Sequence, residues 1–189
     1  HGKGIERNPP RPFTDDIGAL PYPDRDMWLP WVVNPLSRRS VLAGRGCPFQ
    51  CTYCCNHALK RVAQGRYFRM RSPENIAEEI LSIKRVYYLM EEMFLEVETL
   101  GVNHEWDMEL CSLLEGINQD YEVPISYGSN LRLTPNTNHE ELFAALKRSN
   151  FEHINIGLES GSERVRRDIL KRHYSNQDVI KAVELAKEY

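Results

Sequence analysis

From residue 40 onward the chain alternates short apolar runs with segments of helical periodicity, and few folds accommodate that order. Ser40-Val41-Leu42-Ala43 is a strand-like run that ends in Gly44-Arg45-Gly46. Ser72-Pro73-Glu74 supplies a cap, a proline at the first helical position and an acid in the first turn. Ile76, Ile80, Ile83 and Tyr87 continue that helix to about residue 89. Further strands are predicted over 93–97, 123–127 and 153–158. Helices are predicted over 105–117, 138–149, 162–172 and 176–188, the last with Val179, Ile180, Val183 and Ala186 on one face. Four β-α units in this order predict an α/β fold with a parallel sheet, its strands apolar enough for burial on both faces. A closed eight-stranded barrel takes about 250 residues. A chain of 189 residues with four units therefore predicts a partial TIM-like (β/α) barrel. Its last strand, near Ile154 and Ile156, is an unprotected edge through which self-association is expected.

Residues 1–37 carry Pro9, Pro10, Pro12, Pro21, Pro23, Pro30 and Pro35 without periodicity, which predicts a proline-rich arm or linker ahead of a partial core over 38–189. Trp28 and Trp31 lie in that arm and are expected to staple it onto the barrel. The chain starts at His1 without a methionine and stops just after a helix, so a piece of a longer polypeptide is expected. No apolar run approaches the roughly 20 residues of a membrane-spanning helix. The N-terminus lacks the order of a secretory signal, so a cytoplasmic location is expected.

Charge is unevenly distributed. From Arg38 to Arg71 there are eight Lys/Arg and no Asp/Glu, whereas Glu74 to Glu122 holds thirteen Asp/Glu against Lys84 and Arg85. The basic stretch is either a solvated face or a surface turned toward an anionic cofactor, substrate or redox partner. The net charge of −3 makes nucleic acid the weaker partner class.

That basic stretch surrounds Cys47, Cys51, Cys54 and Cys55; the fifth cysteine, Cys111, sits at apolar helical spacing with Leu110 and Leu114 and reads as core. Four cysteines within nine residues make a poor disulfide framework and fit thiolates serving a metal in a reducing compartment. Soft thiolates select zinc or an iron–sulfur cluster. A structural zinc site would use Cys47, Cys51, Cys54 and either Cys55 or His57, although such sites normally join two separated ligand pairs. A cube normally takes four cysteines, so three leave one iron with an open position.

The segment Gly44-Arg45-Gly46-Cys47-Pro48-Phe49-Gln50-Cys51-Thr52-Tyr53-Cys54 resembles the C-x3-C-x-aromatic-C motif of the radical S-adenosylmethionine (SAM) superfamily. Arg66-Tyr67, Arg71-Ser72-Pro73-Glu74 and Gly157-Leu158-Glu159-Ser160-Gly161-Ser162 are similar to that family's approach to its first helix and to its fourth strand, so the likeness runs from about Arg39 to Tyr189. Leu20-Pro21-Tyr22-Pro23-Asp24-Arg25-Asp26 resembles the linker that follows a cobalamin-binding domain in one subfamily.

The resemblance implies a [4Fe–4S] cluster on Cys47, Cys51 and Cys54, with SAM on the open iron, reductively cleaved to a 5′-deoxyadenosyl radical. It implies about four β-α units of a (β/α)6 core, a cobalamin domain elsewhere in the parent protein, a small-molecule substrate and a reductant such as a flavodoxin or ferredoxin. The reaction class it implies is methyl transfer or ring formation. Tyr53 would lie near the adenine, the backbone of Glu98-Thr99-Leu100-Gly101 together with Thr99 would receive the SAM ammonium, Glu159 would face the ribose and Arg172 would pair with the SAM carboxylate. Glu159 as a helix cap and Arg172 as a helix C-terminal cation remain alternatives. An electron-transfer or zinc-binding module without SAM chemistry is the alternative function.

Overall fold

A computed structural model of the chain describes residues 4–5, 7–33 and 38–189. In chain order the elements are β1 (Arg39–Leu42), β2 (Gly44–Arg45), α1 (Asn56–Leu59), β3 (Arg69–Met70), α2 (Pro73–Val86), β4 (Glu92–Leu100), α3 (His104–Gln119), β5 (Ser126–Leu131), α4 (His139–Arg148), β6 (Phe151–Ile156) and α5 (Asn176–Glu188). β1, β4, β5 and β6 form one parallel sheet in that order, and β2 pairs antiparallel with β3. The α/β reading and its partial, unclosed barrel are thus observed.

Local chemistry explains most helix boundaries. The Ser72 hydroxyl accepts the Asn75 N–H at the start of α2. Asn103 and Asn138 cap α3 and α4 in the same way, and Ser175 and Asp178 form a reciprocal capping box on α5. Ile76, Ile80 and Ile83 of α2 and Met93, Leu95 and Val97 of β4 belong to one buried core cluster. Each of these fully buried side chains contributes about 1.5–3 kcal/mol relative to an exposed one.

Several boundaries differ from expectation. Helix α2 stops at Val86 rather than near residue 89. The strand expected over 123–127 runs instead over Ser126–Leu131. Pro124 offers no N–H to a ladder, and Ile125 spends its N–H and carbonyl on the Asn118 side chain. The polar residues that follow form the strand because the sheet satisfies them; the Ser129 hydroxyl donates to the Leu95 carbonyl. The expected strand 153–158 is β6, shifted two residues earlier. The helix expected over 162–172 ends sooner, in a π turn over Val165–Ile169.

The strands are not buried on both faces. In β4, Met93, Leu95 and Val97 face the helices, whereas Glu92, Glu96 and Glu98 lie on the inner face. Phe94, between these glutamates, is buried and stacks with His153, so that face is polar at Glu92, Glu96 and Glu98 and covered at its middle. On α5 the inward residues are Ala182 and Leu185, with Val179 half-buried, while Ile180, Val183 and Ala186 are exposed. The apolar stripe assigned from sequence lies one residue round the helix from the face that packs.

The arm is docked, but not by tryptophans. Trp28 and Trp31 are 59% and 80% exposed, on a 3-10 helix over Asp26–Trp31 that buries nothing. Attachment comes from hydrogen bonding that the backbone of a proline-rich segment cannot supply itself. The Phe13 N–H donates to Gln64 O at 2.8 Å, the Tyr22 hydroxyl donates to Asn75 O at 3.2 Å, and Arg25 reaches Glu79 at 2.6 Å and Ser40 O at 3.0 Å. Residues 1–3, 6 and 34–37 of the expected arm lie outside the described residues.

Cys111 is buried as expected, and burial pushes its thiol up to about 11. Its neighbour Asp107 is 1% exposed; desolvation pushes its carboxyl up to about 7, against one hydrogen bond from the Gly101 N–H. A carboxyl raised in the fold stabilises it fully below the unfolded value near 3.8 and loses that contribution as pH rises through 7. Between pH 4 and pH 8 the wild type should therefore lose about 2–4 kcal/mol that Asp107→Asn does not lose. Urea unfolding of both proteins across that range checks it; parallel pH profiles would disprove it.

Candidate functional site

The cysteine loop leaves the C-terminal end of β1 and is held from three directions. Gly46 has φ +80°, and a Cβ there would collide with the Tyr67 carbonyl, so the chain turns into the loop at a residue without a side chain. Across the sheet, the π turn leaves the carbonyls of Ile169 and Leu170 outside the helix ladder. Thr52, between Cys51 and Tyr53, satisfies both: its hydroxyl donates to Ile169 O at 2.7 Å and its N–H to Leu170 O at 3.3 Å. At the third contact the Arg132 guanidinium lies 4.1 Å over the Phe49 ring.

Cys51 is buried, Cys47 and Cys54 are half-buried, and all three are free thiols. Each sulfur faces N–H donors. Arg132 Nη1 lies 3.2 Å from Cys51 Sγ. The backbone N–H and side-chain amide of Asn56 lie 3.5 and 3.4 Å from Cys54 Sγ. The Phe49 backbone N–H faces Cys47, lowering its pKa against burial, which is the larger effect and leaves the thiol raised. Three thiols on one loop, with N–H groups aimed at their sulfurs, are a donor set that fits a [4Fe–4S] cluster. A structural zinc site would need a fourth ligand beside the three thiols. Cys55 is exposed and occupies the N-cap position of α1.

Three of the residues expected to bind cofactor meet at one point. Arg172 Nη1 donates to the Tyr53 hydroxyl and to Glu159 Oε1, both at 2.6 Å. Glu159 therefore does not cap the following helix, whose first turn uses Ser160 and Ser162 instead. Arg172 turns away from the helix end and lies 7% exposed with its guanidinium 5.2 Å from the Tyr174 ring. Burial works against the Arg172 charge, yet Tyr53, Tyr174 and Glu159 together hold its pKa above the ordinary value. Gly157 makes room for this junction, since a Cβ there would lie 2.5 Å from Glu159 Oε1. Arg166, fully buried, pins the turn by donating to the carbonyls of Ser160 and Tyr174 and to the Asn176 side chain.

Glu98 belongs to the other flank of the loop. It accepts from Asn56 Nδ2 at 2.5 Å, and Asn56 accepts from the Tyr67 hydroxyl. The side chain of Thr99 lies outside the described residues. Asn56 and Arg132, which touch the cysteine sulfurs, were missed from sequence. Only their places gave a signal: one just after the last clustered cysteine, the other the first residue past β5. A cavity of about 400 Å³ opens beside this flank, lined by Phe13, Leu42, Gly46, Asn56, Tyr67 and Glu98, among others. Its size is within the range of small-molecule and cofactor sites.

Comparison with known proteins gives the family and the fold. The family model described as the radical SAM superfamily matches residues 41–189. The chain is 28% identical over 189 residues to an uncharacterized methyltransferase, PH0819, of Pyrococcus horikoshii, covering 98% of this chain and 38% of that protein. It is 22% identical over 188 residues to an anaerobic magnesium-protoporphyrin IX monomethyl ester cyclase of Rubrivivax gelatinosus, covering 97% and 32%. The chain thus spans about a third of the length of these curated relatives. Among solved structures, the radical SAM methyltransferase TsrM of Kitasatospora setae, with cobalamin and a [4Fe–4S] cluster bound, superposes with a TM-score of 0.64 at 15% identity, covering 79% of this chain and 28% of that one.

Proposed function

The chain belongs to the radical SAM superfamily, and on that premise we propose that it is the radical-generating core of a cobalamin-dependent enzyme acting on a small molecule. In this reading Cys47, Cys51 and Cys54 hold a [4Fe–4S] cluster, and SAM lies between the cysteine loop and the end of β6. When bound, such a cluster supplies one electron that splits the SAM sulfonium into methionine and a 5′-deoxyadenosyl radical.

The observation that carries the reading is the junction of Tyr53 with Glu159 and Arg172. It brings a residue of the cysteine motif against the end of the fourth parallel strand. There, Arg172 offers a planar fork for a carboxylate. Glu159, whose Oε1 accepts from Arg172, offers its remaining acceptor capacity to ribose hydroxyls. Tyr53, half exposed, offers a ring face for an adenine. On the opposite flank, Glu98 offers a carboxylate for an ammonium group, and Thr99 extends that flank. Cobalamin dependence, with methyl transfer or ring formation as the reaction class, is supported by the names of the relatives and by cobalamin in TsrM.

Lys60, Arg61 and Arg66, all exposed after α1, supply basic charge for an acidic electron carrier such as a flavodoxin or ferredoxin. Among the described residues no helix is long and apolar enough to cross a membrane. Free thiols at the site fit the reducing cytoplasm. The outer edge of β6 is the surface for self-association.

Anaerobic reconstitution with iron and sulfide tests the reading. The expected product is a brown protein whose reduced form gives a cubane EPR signal that changes shape when SAM is added. A reduced signal indifferent to SAM would favour an electron-transfer module, and stoichiometric zinc in protein purified without oxygen would favour a structural metal site.

A further inference from the structure

Resting on the cluster reading above, we propose that Arg132 is a positioning residue that sets the cluster's reduction potential through Cys51. Arg132 directly follows β5 and is 8% exposed. Its Nη1 lies 3.2 Å from Cys51 Sγ, and its guanidinium stacks on Phe49, two residues earlier on the same loop. Both contacts are to the cysteine loop, although 81 residues of chain separate Arg132 from Cys51.

The charge of Arg132 has no other counterpart. Among the described residues no carboxylate forms an ion pair with it, and its Nε is buried without a hydrogen-bond partner. Three other buried arginines are better provided: Arg71 has Glu79, Arg172 has Glu159, and Arg166 has two backbone carbonyls and Asn176. A buried cation left alone costs several kcal/mol. Negative charge on the cysteine loop would offset that cost.

A fixed cation with an N–H on a ligand sulfur favours the cluster state with one more electron, because hydrogen bonds and net charge at the sulfurs set the potential. The flat stack on Phe49 keeps the guanidinium from turning away, which a flexible ammonium would do more readily. The opposite corner contrasts with this one, since Cys54 receives its hydrogen bonds from the neutral Asn56, with the Glu98 carboxylate behind it. The loop therefore has an electrostatic direction, cationic at Cys51 and anionic behind Cys54.

The test is an EPR-monitored redox titration of the anaerobically reconstituted chain without SAM. In Arg132→Met the ratio of reduced to oxidised cluster at a fixed potential should fall about tenfold, a downward shift of about 59 mV for a one-electron couple. Arg132→Lys keeps the charge without the stack and should fall about threefold. Arg148→Ala, which removes a surface ion-pair partner on α4, should titrate as wild type. An iron-loaded Arg132→Met protein with the wild-type potential would overturn the proposal, even if its unfolding midpoint had dropped, since a loop staple alone gives that pattern. Should Arg132→Met retain no iron, Arg132→Lys decides: a lowered potential supports the proposal and a wild-type potential overturns it. A wild-type chain that takes up no iron overturns the cluster reading itself, and this is visible before any variant is titrated.

Discussion

Cys51→Ala should lose the reduced-cluster EPR signal and most of its iron, whereas Cys55→Ala should reconstitute like the wild type. The two cysteines lie four residues apart, and composition treats them alike. Cys51 is buried, its sulfur faces Arg132, and its carbonyl accepts the Cys54 N–H at 3.1 Å, closing the turn that carries the third cysteine. In the proposed site, removing that sulfur would leave two protein ligands for the cube and a buried guanidinium without the sulfur it faces. Cys55 is exposed, and its role is to start a four-residue helix. Iron and sulfide analysis with EPR of both variants gives the comparison. A Cys51→Ala protein with the full wild-type signal would remove the basis of the proposed chemistry, and loss of iron in Cys55→Ala would reinstate that residue as a ligand.

Glu79→Ala should destabilise the fold by about 3–5 kcal/mol and free the N-terminal arm, because it leaves buried charge unpaired. Glu79 is 1% exposed on α2 and takes Arg25 on one oxygen, at 2.6 Å, and Arg71 on the other. Arg71 is 7% exposed and also donates to Leu42 O at 2.8 Å, at the end of β1, and to Asn75 Oδ1 at 2.7 Å. One carboxylate thus joins the arm, α2 and the strand from which the cysteine loop departs. Glu79→Gln keeps the shape and one acceptor, so its cost should be roughly half that of the alanine variant. Urea unfolding measures both, and limited trypsin digestion reports the arm, with cleavage after Arg25 expected to accelerate in Glu79→Ala. An unchanged unfolding midpoint together with an intact arm would show that the arm is held elsewhere.

The helices were legible because their signals are local. Ser72-Pro73-Glu74 predicts the start of α2, and the predicted bounds of α5 match the observed ones, since a cap and the N–H it accepts from lie within one turn of each other. β5 was displaced because periodicity weighs apolarity, whereas Ser126-Tyr127-Gly128-Ser129-Asn130 owes its extended form to β4 on one side and β6 on the other. The β2–β3 pair went unseen for a related reason, being two residues on each strand. Trp28 and Trp31 misled as anchors because ring area stabilises docking only where a complementary surface covers it, and none of the described residues does.

Residue types and short spacings in this chain were enough to establish three thiols on one turn and a repeated strand–helix order, since both depend on atoms a few bonds or one helical turn apart. Which groups face those thiols came from folding alone. Arg132 meets Cys51 across 81 residues and Arg172 meets Tyr53 across 119, because parallel strands place residues remote in sequence at the same end of a sheet. A side chain's charge is written in its identity, but the partner that gives the charge a task is chosen by crossovers whose register no local pattern records.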